Sequence, residues 1–471
     1  MKANIFFGSN EETKDSYTDR KNPYNGGIVS SAPLCDANDA KKALEIARTA
    51  AKEAKKSTLS QRCDWLLDVA EKLKEQKEDI AKTITDEVGK PIAFSRVEVD
   101  RCIETVTLSA EAMRSMHGET VSTDAMPSGK KTTAFFTRVP VGVVVAITPF
   151  NFPLNLVAHK IAPALAAGNA VVLKPTPEAP LTAYKFVKLF IESKYAIKDA
   201  LSVVYGDAEV GSALVTSDIP RVISFTGSVP VGNIIAKSAG IKKVSLELGG
   251  NAATYIDESA DLDLAASRCA LGAFVNSGQV CISLQRIYVN EKIYDEFASK
   301  MAKESQKLIV GSPYEDDTFM GPLINEEACE RAMRWVQSAI DEGAKAMLEP
   351  RMEGRLFYPC VMADVTEDMS IVCEEVFAPI VSLVKVGGFD EALPFMNNSP
   401  YGLQFSVFTN DLRVMQKAIE ELDAGGVVIN DMPTLRFDIQ PYGGVKLSGV
   451  GREGPKFAIE EMTEIKSVVI C

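Results

Sequence analysis

Histidine is scarce in this sequence, and its scarcity argues against two common kinds of active site. The chain of 471 residues contains two histidines, His117 and His159, and its cysteines form no C-x-x-C pair. Structural and catalytic zinc sites are built mainly from histidine and cysteine, and serine hydrolases of the triad type need a histidine base. We therefore expect neither a metal site nor a histidine-based catalytic triad.

Long uninterrupted apolar segments and an excess of positive charge are also missing. The most apolar stretch, 141–158, is interrupted by two prolines and two asparagines, so it does not suit a membrane-spanning helix. The formal net charge is −13, which argues against binding to nucleic acids or anionic membranes because both are polyanions. No secretory signal pattern is visible, and we expect the nine cysteines to be reduced thiols in the cytoplasm.

Short apolar runs alternate with helix-like segments from residue 135 onward. One set of runs covers 141–147, 170–173, 202–205, 222–225 and 244–246, and a second set covers 285–290, 380–386, 406–409 and 425–430. Runs of this length are typical of parallel strands that are buried on both faces. With 46% hydrophobic residues, the chain can build two or three domains. We expect a doubly wound α/β fold whose ligands bind beyond the carboxyl ends of the strands.

Two regions lie outside these alternating units. Residues 37–117 carry apolar positions at helical spacing, with Asp36 as the expected cap of the first helix. At the other end, 466–470 reads as a lone strand with no partner after it. We expect it to pair with 135–143 in a small separate sheet.

A cysteine and a glutamate in glycine-rich turns are the first candidates for catalysis. Cys281 ends the segment 274–281, whose small polar residues predict a turn that lowers a thiol pKa from about 8.5. The alternative is a cysteine that merely packs as a small apolar side chain. Glu247 precedes two glycines and is either a solvated strand-end carboxylate or a general base with a raised pKa. Together they suit covalent chemistry on a carbonyl group.

Polar residues also follow the expected strands of the first set. Asn151 lies in a proline-bounded turn, as a plain turn residue or as a donor to a developing oxyanion. Lys174 ends the next strand, where it is either solvated or within reach of ribose hydroxyls. Ser228 precedes a helix whose N-terminus can hold a pyrophosphate. No G-x-G-x-x-G motif follows the first strand, so these residues alone do not identify a nucleotide site.

Seven short motifs occur in one order along nearly the whole chain. They are 148–153, 173–175, 225–228, 246–251, 274–281, 374–379 and 441–449. In this set the chain resembles the NAD(P)-dependent aldehyde dehydrogenase superfamily, and it is most similar to the lactaldehyde and succinate-semialdehyde dehydrogenase branch. The resemblance implies that NAD or NADP oxidises a small polar aldehyde to its carboxylate. It also implies a homodimer or a homotetramer.

The resemblance implies roles for individual residues and a division of the chain. Cys281 would attack the aldehyde, Asn151 with the Cys281 N–H would hold the oxyanion, and Glu247 would activate water to hydrolyse the thioester. The implied cofactor-binding residues are Thr148, Pro149, Lys174, Glu178, Gly211, Phe225, Gly227, Ser228, Glu375 and Phe377. The implied domains are a cofactor domain at 1–129 and 147–248, a catalytic domain at 249–450, and a bridging sheet at 130–146 and 457–471.

One position departs from the pattern of NAD-preferring relatives. These often carry a glutamate three residues after the lysine that grips both ribose hydroxyls, whereas this chain has Pro177 there and Glu178 beside it. Without the carboxylate, a 2′-phosphate would meet less repulsion. Because Glu178 could still reach the ribose, the sequence leaves NAD and NADP open.

The substrate end is predicted from the loop before the last motif. By resemblance Arg436 borders the substrate tunnel, either as a surface arginine paired with Asp438 or as a contact for a polar or anionic substrate tail. Phe152, Leu156 and His159 are expected to line the same tunnel, although core packing suits His159 equally well. The sequence does not name the aldehyde.

Two other functions fit the same motifs. A CoA-acylating relative would transfer the thioester to coenzyme A, but such enzymes tend to lack the base expected at Glu247. A catalytically silent binding protein on this fold is the second alternative. The joint presence of Cys281, Glu247 and Asn151 argues against it.

Overall fold

Two large, mostly parallel β-sheets organise the protein, whose computed structural model describes residues 1–471. The strands are β1 Ile5–Phe7, β2 Asn10–Glu12, β3 Tyr17–Lys21, β4 Ile28–Pro33, β5 Glu119–Thr120, β6 Thr133–Pro140, β7 Val143–Ile147, β8 Ala170–Lys174, β9 Leu201–Val203, β10 Val222–Thr226, β11 Lys243–Glu247, β12 Ala252–Ile256, β13 Leu284–Asn290, β14 Lys345–Leu348, β15 Met352–Glu353, β16 Leu356–Phe357, β17 Cys360–Ala363, β18 Ile380–Val386, β19 Tyr401–Gly402, β20 Gln404–Phe408, β21 Gly426–Ile429, β22 Val445–Lys446, β23 Gly449–Val450 and β24 Thr463–Ile470.

Helices cover both faces of these sheets. They are α1 Ala37–Lys56, α2 Leu59–Glu75, α3 Lys77–Val88, α4 Ile92–Arg114, α5 Asn155–Ala166, α6 Pro180–Ile191, α7 Ala208–Thr216, α8 Val229–Ser238, α9 Leu262–Phe274, α10 Tyr294–Gln306, α11 Glu326–Asp341, α12 Ser370–Cys373, α13 Phe389–Asn397, α14 Leu412–Glu421 and α15 Pro455–Glu461. A single 3₁₀ turn spans Val275–Gly278. None of the helices combines the length and the apolar composition that crossing a bilayer requires.

The first sheet has the strand order β2-β1-β9-β8-β7-β10-β11-β23. Its five central strands are parallel. The direction in which the chain adds strands reverses between β7 and β10, which opens a crevice at their carboxyl ends. Strands β7, β8 and β10 are buried along their whole length, which explains their unbroken apolar sequences. The doubly wound arrangement predicted from the sequence is confirmed.

The helical region predicted at 37–117 forms four helices, α1 to α4. Asp36 caps α1 in a reciprocal capping box, as expected. Gly89 ends α3 with a φ of 71°, a left-handed conformation that glycine adopts without strain. The apolar faces of these helices belong to the same hydrophobic core as the first sheet, so the four helices and this sheet pack as one body.

The second sheet has the order β14-β17-β18-β13-β12-β20-β21. All neighbouring pairs are parallel except β14 with β17. Strands β11 and β12, which belong to different sheets, are separated only by residues 248–251. The carboxyl end of the first sheet is thereby tied directly to the start of the second.

The last strand leaves both large sheets. Strand β24 pairs antiparallel with β6 along eight residues, and β5 completes a three-stranded sheet. This confirms the small separate sheet that was expected to form from 135–143 and 466–470. The sequence analysis did not predict the N-terminal strands β1 to β4, because they are short and β2 and β3 are largely exposed.

Candidate active site

A small cavity of about 50 Å³ lies where the carboxyl ends of β10 and β11 meet the loop that carries Cys281. Its lining comes from segments that are far apart in sequence. The lining residues are Arg101, Phe152, Asn155, Leu156, Thr226, Glu247, Val280, Cys281, Ile282, Thr434, Arg436, Tyr442 and Glu453. The thiol and the carboxylate singled out from the sequence therefore face one space.

The turn before Cys281 has an unusual backbone. Asn276, Ser277 and Gly278 have φ values of 52°, 57° and 72°, and two of them are not glycine. Left-handed backbone of this kind clusters at functional sites, where the surrounding structure must hold it. Here Ser277 Oγ donates to the Gly321 carbonyl at 2.7 Å, and Asn276 Nδ2 donates to the Asn151 carbonyl at 3.4 Å. The second bond ties the Cys281 loop to the Asn151 turn.

The Cys281 thiol is protonated at neutral pH. Burial raises its pKa to about 11, although the Tyr442 hydroxyl and the Arg436 cation both act to lower it. The expectation that the turn lowers the pKa is wrong, because desolvation of the thiolate outweighs the polar neighbours. Tyr442 Oη lies 3.1 Å from Cys281 Sγ and is the hydrogen-bond partner of the thiol.

Glu247 is buried and not solvated. The residue is 3% exposed, and neither carboxylate oxygen has a hydrogen-bond partner in the protein. Burial, together with the negative charge of Glu453, raises the pKa of Glu247 well above its usual range. A Cβ at Gly443 would lie 2.9 Å from Glu247 Oε1, so glycine there leaves room for the carboxylate. This environment is the one expected of a general base.

Behind Glu247 lies a buried network of opposite charges. Glu453 accepts hydrogen bonds from Lys160 Nζ at 2.9 Å and from Arg436 Nη2 at 3.2 Å. Although burial opposes its ionisation, the Lys160 and Arg436 cations lower the pKa of Glu453 to about 2. Arg436 also lies over the Tyr442 ring, 3.7 Å from its centroid. Glu453 is therefore ionised, while the nearby Glu247 holds its proton.

A second carboxylate completes this network on the substrate side. Asp438 accepts two hydrogen bonds from Arg101, at 2.7 and 2.9 Å, and its Oδ1 lies 2.9 Å from His159 Nε2. Burial opposes ionisation of Asp438, but His159 and Arg101 hold its pKa far below the usual range. Burial and the Arg436 cation lower the pKa of His159, so its imidazole is neutral at neutral pH.

A larger cavity, of about 580 Å³, lies at the carboxyl ends of β7, β8 and β10. It occupies the crevice that the strand order predicts for a ligand. Eight of the ten expected cofactor-binding residues line it: Thr148, Pro149, Lys174, Glu178, Gly211, Phe225, Gly227 and Ser228. The sequence analysis missed Asp207, Val231 and Ile234, which line the same cleft.

The residues of this cleft fit a dinucleotide. Ser228 is the N-cap residue of α8, but its side chain makes no capping hydrogen bond. The N–H groups at this helix N-terminus are therefore open to a pyrophosphate. Val231 and Ile234 are 43% and 63% exposed and offer an apolar face to an adenine ring. The hydroxyls of Thr148 and Thr226 are buried without a partner, and Thr226 lines both cavities. A polar ligand bound at this junction would satisfy these hydroxyls.

The remaining two expected cofactor residues lie outside the lining of the cleft. Glu375 accepts a hydrogen bond from Gly250 N at 3.0 Å, and burial raises its pKa to about 7. Phe377 has a φ of 50° and packs edge-on against Phe150 at 6.0 Å. Glu375 therefore contacts the 246–251 motif, and Phe377 contacts the 148–153 motif.

The sequence model of the Aldehyde dehydrogenase family matches residues 10–468. The chain belongs to this family. It is an aldehyde-oxidising enzyme that uses NAD or NADP. Among curated relatives, it is 42% identical to a 3-sulfolactaldehyde dehydrogenase of Priestia aryabhattai, over 99% of this chain and 97% of that one. It is 40% identical to a lactaldehyde dehydrogenase of Methanococcus aeolicus, over 96% of both chains.

Solved aldehyde dehydrogenase structures share the whole fold. Aldehyde dehydrogenase 21 from Physcomitrella patens, solved with the reaction product succinate, has a TM-score of 0.96 and 37% identity, covering 100% of this chain and 98% of that one. The NADP-dependent glyceraldehyde-3-phosphate dehydrogenase of Bacillus halodurans, solved with NADP, has a TM-score of 0.97 and 33% identity, covering 100% and 99%. The resemblance inferred from the seven motifs is thereby confirmed.

Within this aldehyde dehydrogenase, the expected substrate residues separate into two groups. Phe152, Leu156 and Arg436 line the cavity at Cys281. His159 does not: it is 1% exposed, and its contacts are to Asp438 and Arg436. Arg436 is no surface residue, because its side chain is 9% exposed and also pairs with Glu453. The pairing with Asp438 is present at 3.7 Å, whereas a contact of Arg436 to the substrate stays a prediction.

The structure adds site residues that the sequence analysis did not identify. Arg101, Thr434, Tyr442 and Glu453 all line the cavity. Tyr442 and Glu453 lie in or beside the last motif, so their positions carried a signal that was not used. Arg101 lies on α4, where nothing in the surrounding sequence separates it from an ordinary surface arginine. Only the packing of α4 on α5 brings it to the thiol.

Proposed function

We propose that this enzyme oxidises a small aldehyde that carries an anionic group. The observation that carries the proposal is that Arg101 and Arg436 line the same cavity as Cys281. Guanidinium groups bind carboxylate, sulfonate or phosphate oxygens through paired N–H donors. Arg436 Nε makes no hydrogen bond in the protein and lies 3.7 Å from Asp438 Oδ1, so its donor capacity is not used by the fold.

The size and polarity of the cavity support a short substrate. A volume of about 50 Å³ holds only a few water-sized positions, which suits a chain of three or four carbons. Thr434 Oγ1 is buried in the lining without a partner, and it could accept or donate a hydrogen bond to a substrate hydroxyl. The relatives are named for sulfolactaldehyde and lactaldehyde, and one related structure holds succinate; all three compounds are short and polar, and sulfolactaldehyde and succinate also carry an anionic group.

In the proposed reaction, Cys281 Sγ attacks the aldehyde carbon and forms a thiohemiacetal. The oxyanion would be held by Asn151 Nδ2 and by the backbone N–H of Cys281, which donates to no acceptor within the protein. The Asn151 amide oxygen already accepts a hydrogen bond from Phe152 N at 3.2 Å, which leaves the Nδ2 half to act as donor. A bound nicotinamide supplies a hydride acceptor, so that a thioester remains on Cys281.

Glu247 is proposed to take a proton from the water that hydrolyses this thioester. Its oxygens are free of protein partners, and its raised pKa makes it a stronger base than a solvated carboxylate once it has lost its proton. Lys160 and Arg436 hold Glu453 ionised, and the negative charge of Glu453 helps to keep the pKa of Glu247 raised. Activity is therefore expected to rise with pH through the neutral range.

The cofactor roles are proposed in the same way. Lys174 would bind the adenosine ribose and Ser228 the pyrophosphate, while Glu375 and Phe377 would contact the nicotinamide riboside. Pro149, Gly211, Phe225 and Gly227 would form the walls of the cleft, and Glu178 would lie beside the ribose. The proposals for all of these residues except Glu375 and Phe377 are supported by the lining of the large cleft, and those two roles rest on the resemblance of the motifs.

The domain division is likewise a proposal. We propose a cofactor domain at 1–129 and 147–248, a catalytic domain at 249–450 and a bridging sheet at 130–146 and 457–471. The three sheets support it, with one qualification: β23, at Gly449–Val450, pairs with β11 of the first sheet. A homodimer or homotetramer in the cytoplasm remains a prediction from the sequence.

The decisive experiment is a substrate grid without coenzyme A. Formation of reduced nicotinamide would be followed with succinate semialdehyde, glyceraldehyde-3-phosphate, lactaldehyde and propanal, each with NAD⁺ and with NADP⁺. The expected result is a kcat/KM for the anionic aldehydes at least about tenfold above that for propanal, because charge-assisted hydrogen bonds contribute more than neutral ones. Equal values for propanal and the anionic aldehydes would refute the anionic substrate class.

A further inference from the structure

Tyr442 is held rigidly beside the thiol. Its backbone N–H donates to the Glu453 carbonyl at 3.0 Å, and the Glu453 N–H donates back to the Tyr442 carbonyl at 2.6 Å. The side chain is 6% exposed and packs in a small apolar cluster with Val280, Ile282 and Leu403. Because the ring cannot move far, the position of its hydroxyl is defined by the fold.

The hydroxyl and the thiol depend on each other. Tyr442 Oη lies 3.1 Å from Cys281 Sγ, and neither atom makes another hydrogen bond in the protein. A buried tyrosine hydroxyl usually has a partner, and here the thiol is that partner. When the thiol loses its proton, the hydroxyl can only donate to the resulting thiolate, since a thiolate is solely an acceptor.

Two features make this hydroxyl a strong donor that keeps its proton. Burial and the neighbouring thiolate raise the pKa of Tyr442 well above its usual range, so the phenol stays neutral. The Arg436 guanidinium lies 3.7 Å from the centre of its ring, and its positive charge, which acts to lower the pKa of Tyr442, makes the O–H a stronger hydrogen-bond donor. A neutral donor that is aimed at a forming anion is the arrangement expected of electrostatic stabilisation.

We propose that Tyr442 is a catalytic residue whose hydroxyl donates a hydrogen bond to the Cys281 thiolate and so stabilises the attacking form of the nucleophile. The proposal rests on the role proposed above for Cys281. The phenol O–H bond stays intact throughout, and the thiol proton leaves to solvent or to the base. This hydrogen bond offsets part of the free-energy cost of burying the negative charge on Cys281 Sγ.

The test measures thiol reactivity without aldehyde or nucleotide. The full-length protein would be treated with iodoacetamide between pH 6 and pH 10.5, and carbamidomethylation of the Cys281 peptide would be quantified by mass spectrometry, which separates it from the other eight cysteines. The reaction consumes the thiolate, because sulfur displaces iodide. Tyr442→Phe keeps the ring and removes only the hydroxyl.

We expect the alkylation rate of Cys281 at pH 8 to fall about tenfold in Tyr442→Phe, since a hydrogen bond to an ion is a strong one. The control is Tyr294→Phe, whose buried hydroxyl contacts the Leu383 carbonyl on the second sheet; its Cys281 rate should match the wild type. Nucleotide binding, followed by fluorescence, should be unchanged in both variants, which shows that they are folded.

Two outcomes would overturn the assignment. One is an unchanged alkylation profile in Tyr442→Phe, and the other is an equal loss in both tyrosine variants. Because no aldehyde is present, failure of this proposal is separate from failure of the proposed substrate class. The role of Cys281 itself is tested independently, through turnover of a Cys281 variant.

Discussion

The two cavities of this enzyme are built in different ways. The large cleft is lined by residues 147–238 only, so it forms from consecutive strand ends and helix starts of one sheet. The small cavity draws its lining from residues between Arg101 and Glu453, and so from both large sheets and from α4. The large cleft thus forms within the first sheet and its helices, whereas the small cavity forms only when the two large sheets and α4 pack together.

Their charges differ as well. The cleft carries Lys174, Glu178 and Asp207 in its lining, and none of these three forms a salt bridge with another residue. Around the thiol, the charged residues pair with each other: Arg436 and Lys160 with Glu453, and Arg101 with Asp438. Removing one member of such a buried pair leaves the other uncompensated and destabilises the fold. The cleft should therefore tolerate substitution better than the reaction cavity.

The sharpest separation of the two cavities is Cys281→Ala. We expect turnover to fall by at least about 10⁴-fold, because loss of a nucleophile removes the covalent route. The affinity for the reduced nucleotide, measured by fluorescence titration, should stay within about twofold of wild type, because Cys281 does not line the cleft. Retention of full oxidation in this variant would remove Cys281 from the mechanism.

Glu247→Gln separates the two halves of the reaction inside the small cavity. We expect a burst of about one reduced nicotinamide per site, followed by a steady rate that is lower by about 10²–10⁴-fold. The glutamine cannot take a proton from water, so the thioester accumulates. In the wild type, the raised pKa of Glu247 means that the basic form increases with pH, and kcat should rise accordingly; the variant should lose this dependence. A steady rate equal to wild type would exclude Glu247 as the base.

Arg101→Gln tests the anionic end of the same cavity. Both arginines pair with a buried carboxylate, but Arg101 is the better target because its side chain is 26% exposed and that of Arg436 is 9% exposed; a thermal shift checks that the variant is folded. We expect KM for succinate semialdehyde to rise about tenfold or more, with little change for propanal. Arg114→Gln is a matched control on the same helix, since Arg114 is half-exposed and remote from the cavity lining. Equal effects on both aldehydes would place Arg101 outside the substrate site.

The smallest expected effect is in the cleft. Glu178 and Asp207 both act on the pKa of Lys174, so two carboxylates face the position proposed for the ribose. They would repel a 2′-phosphate, and we expect the wild type to favour NAD⁺. Glu178→Gln should raise kcat/KM for NADP⁺ relative to NAD⁺ about fivefold. Binding of 2′-AMP and 5′-AMP, followed by thermal shift, checks the same preference without turnover, with Glu192→Gln as an exposed control.

Sequence analysis predicted the fold well because the fold depends on local patterns. Strands β7, β8 and β10 are continuous apolar runs that end at polar turns, and each occurs where the pattern placed it. The predicted cleft residues follow these strands directly, and eight of ten line it. The N-terminal strands escaped prediction because they are short, β2 and β3 are largely exposed, and β1 joins the first sheet through a distant partner, Phe6 with Val203.

The reaction cavity was predicted less completely, for a physical reason. Cys281 and Glu247 carry a signal in their own turns, but the pKa of Cys281 does not: burial by distant segments raises it to about 11. His159 follows the Asn151 turn on α5, yet its ring is turned toward Asp438 and away from the cavity lining. Side-chain direction at such a position depends on what packs against the helix.

By itself, then, the sequence determined the doubly wound architecture, the cofactor cleft and the identity of the thiol and the carboxylate, because periodicity and turn residues act over a few positions. Tertiary structure alone decided that Arg101 and Arg436 line one cavity and that Tyr442 forms a hydrogen bond with Cys281. It also decided that Glu453 is ionised beside a protonated Glu247. Those properties arise from desolvation and Coulomb interactions between groups hundreds of residues apart, and these forces depend on distance in space and not on distance along the chain.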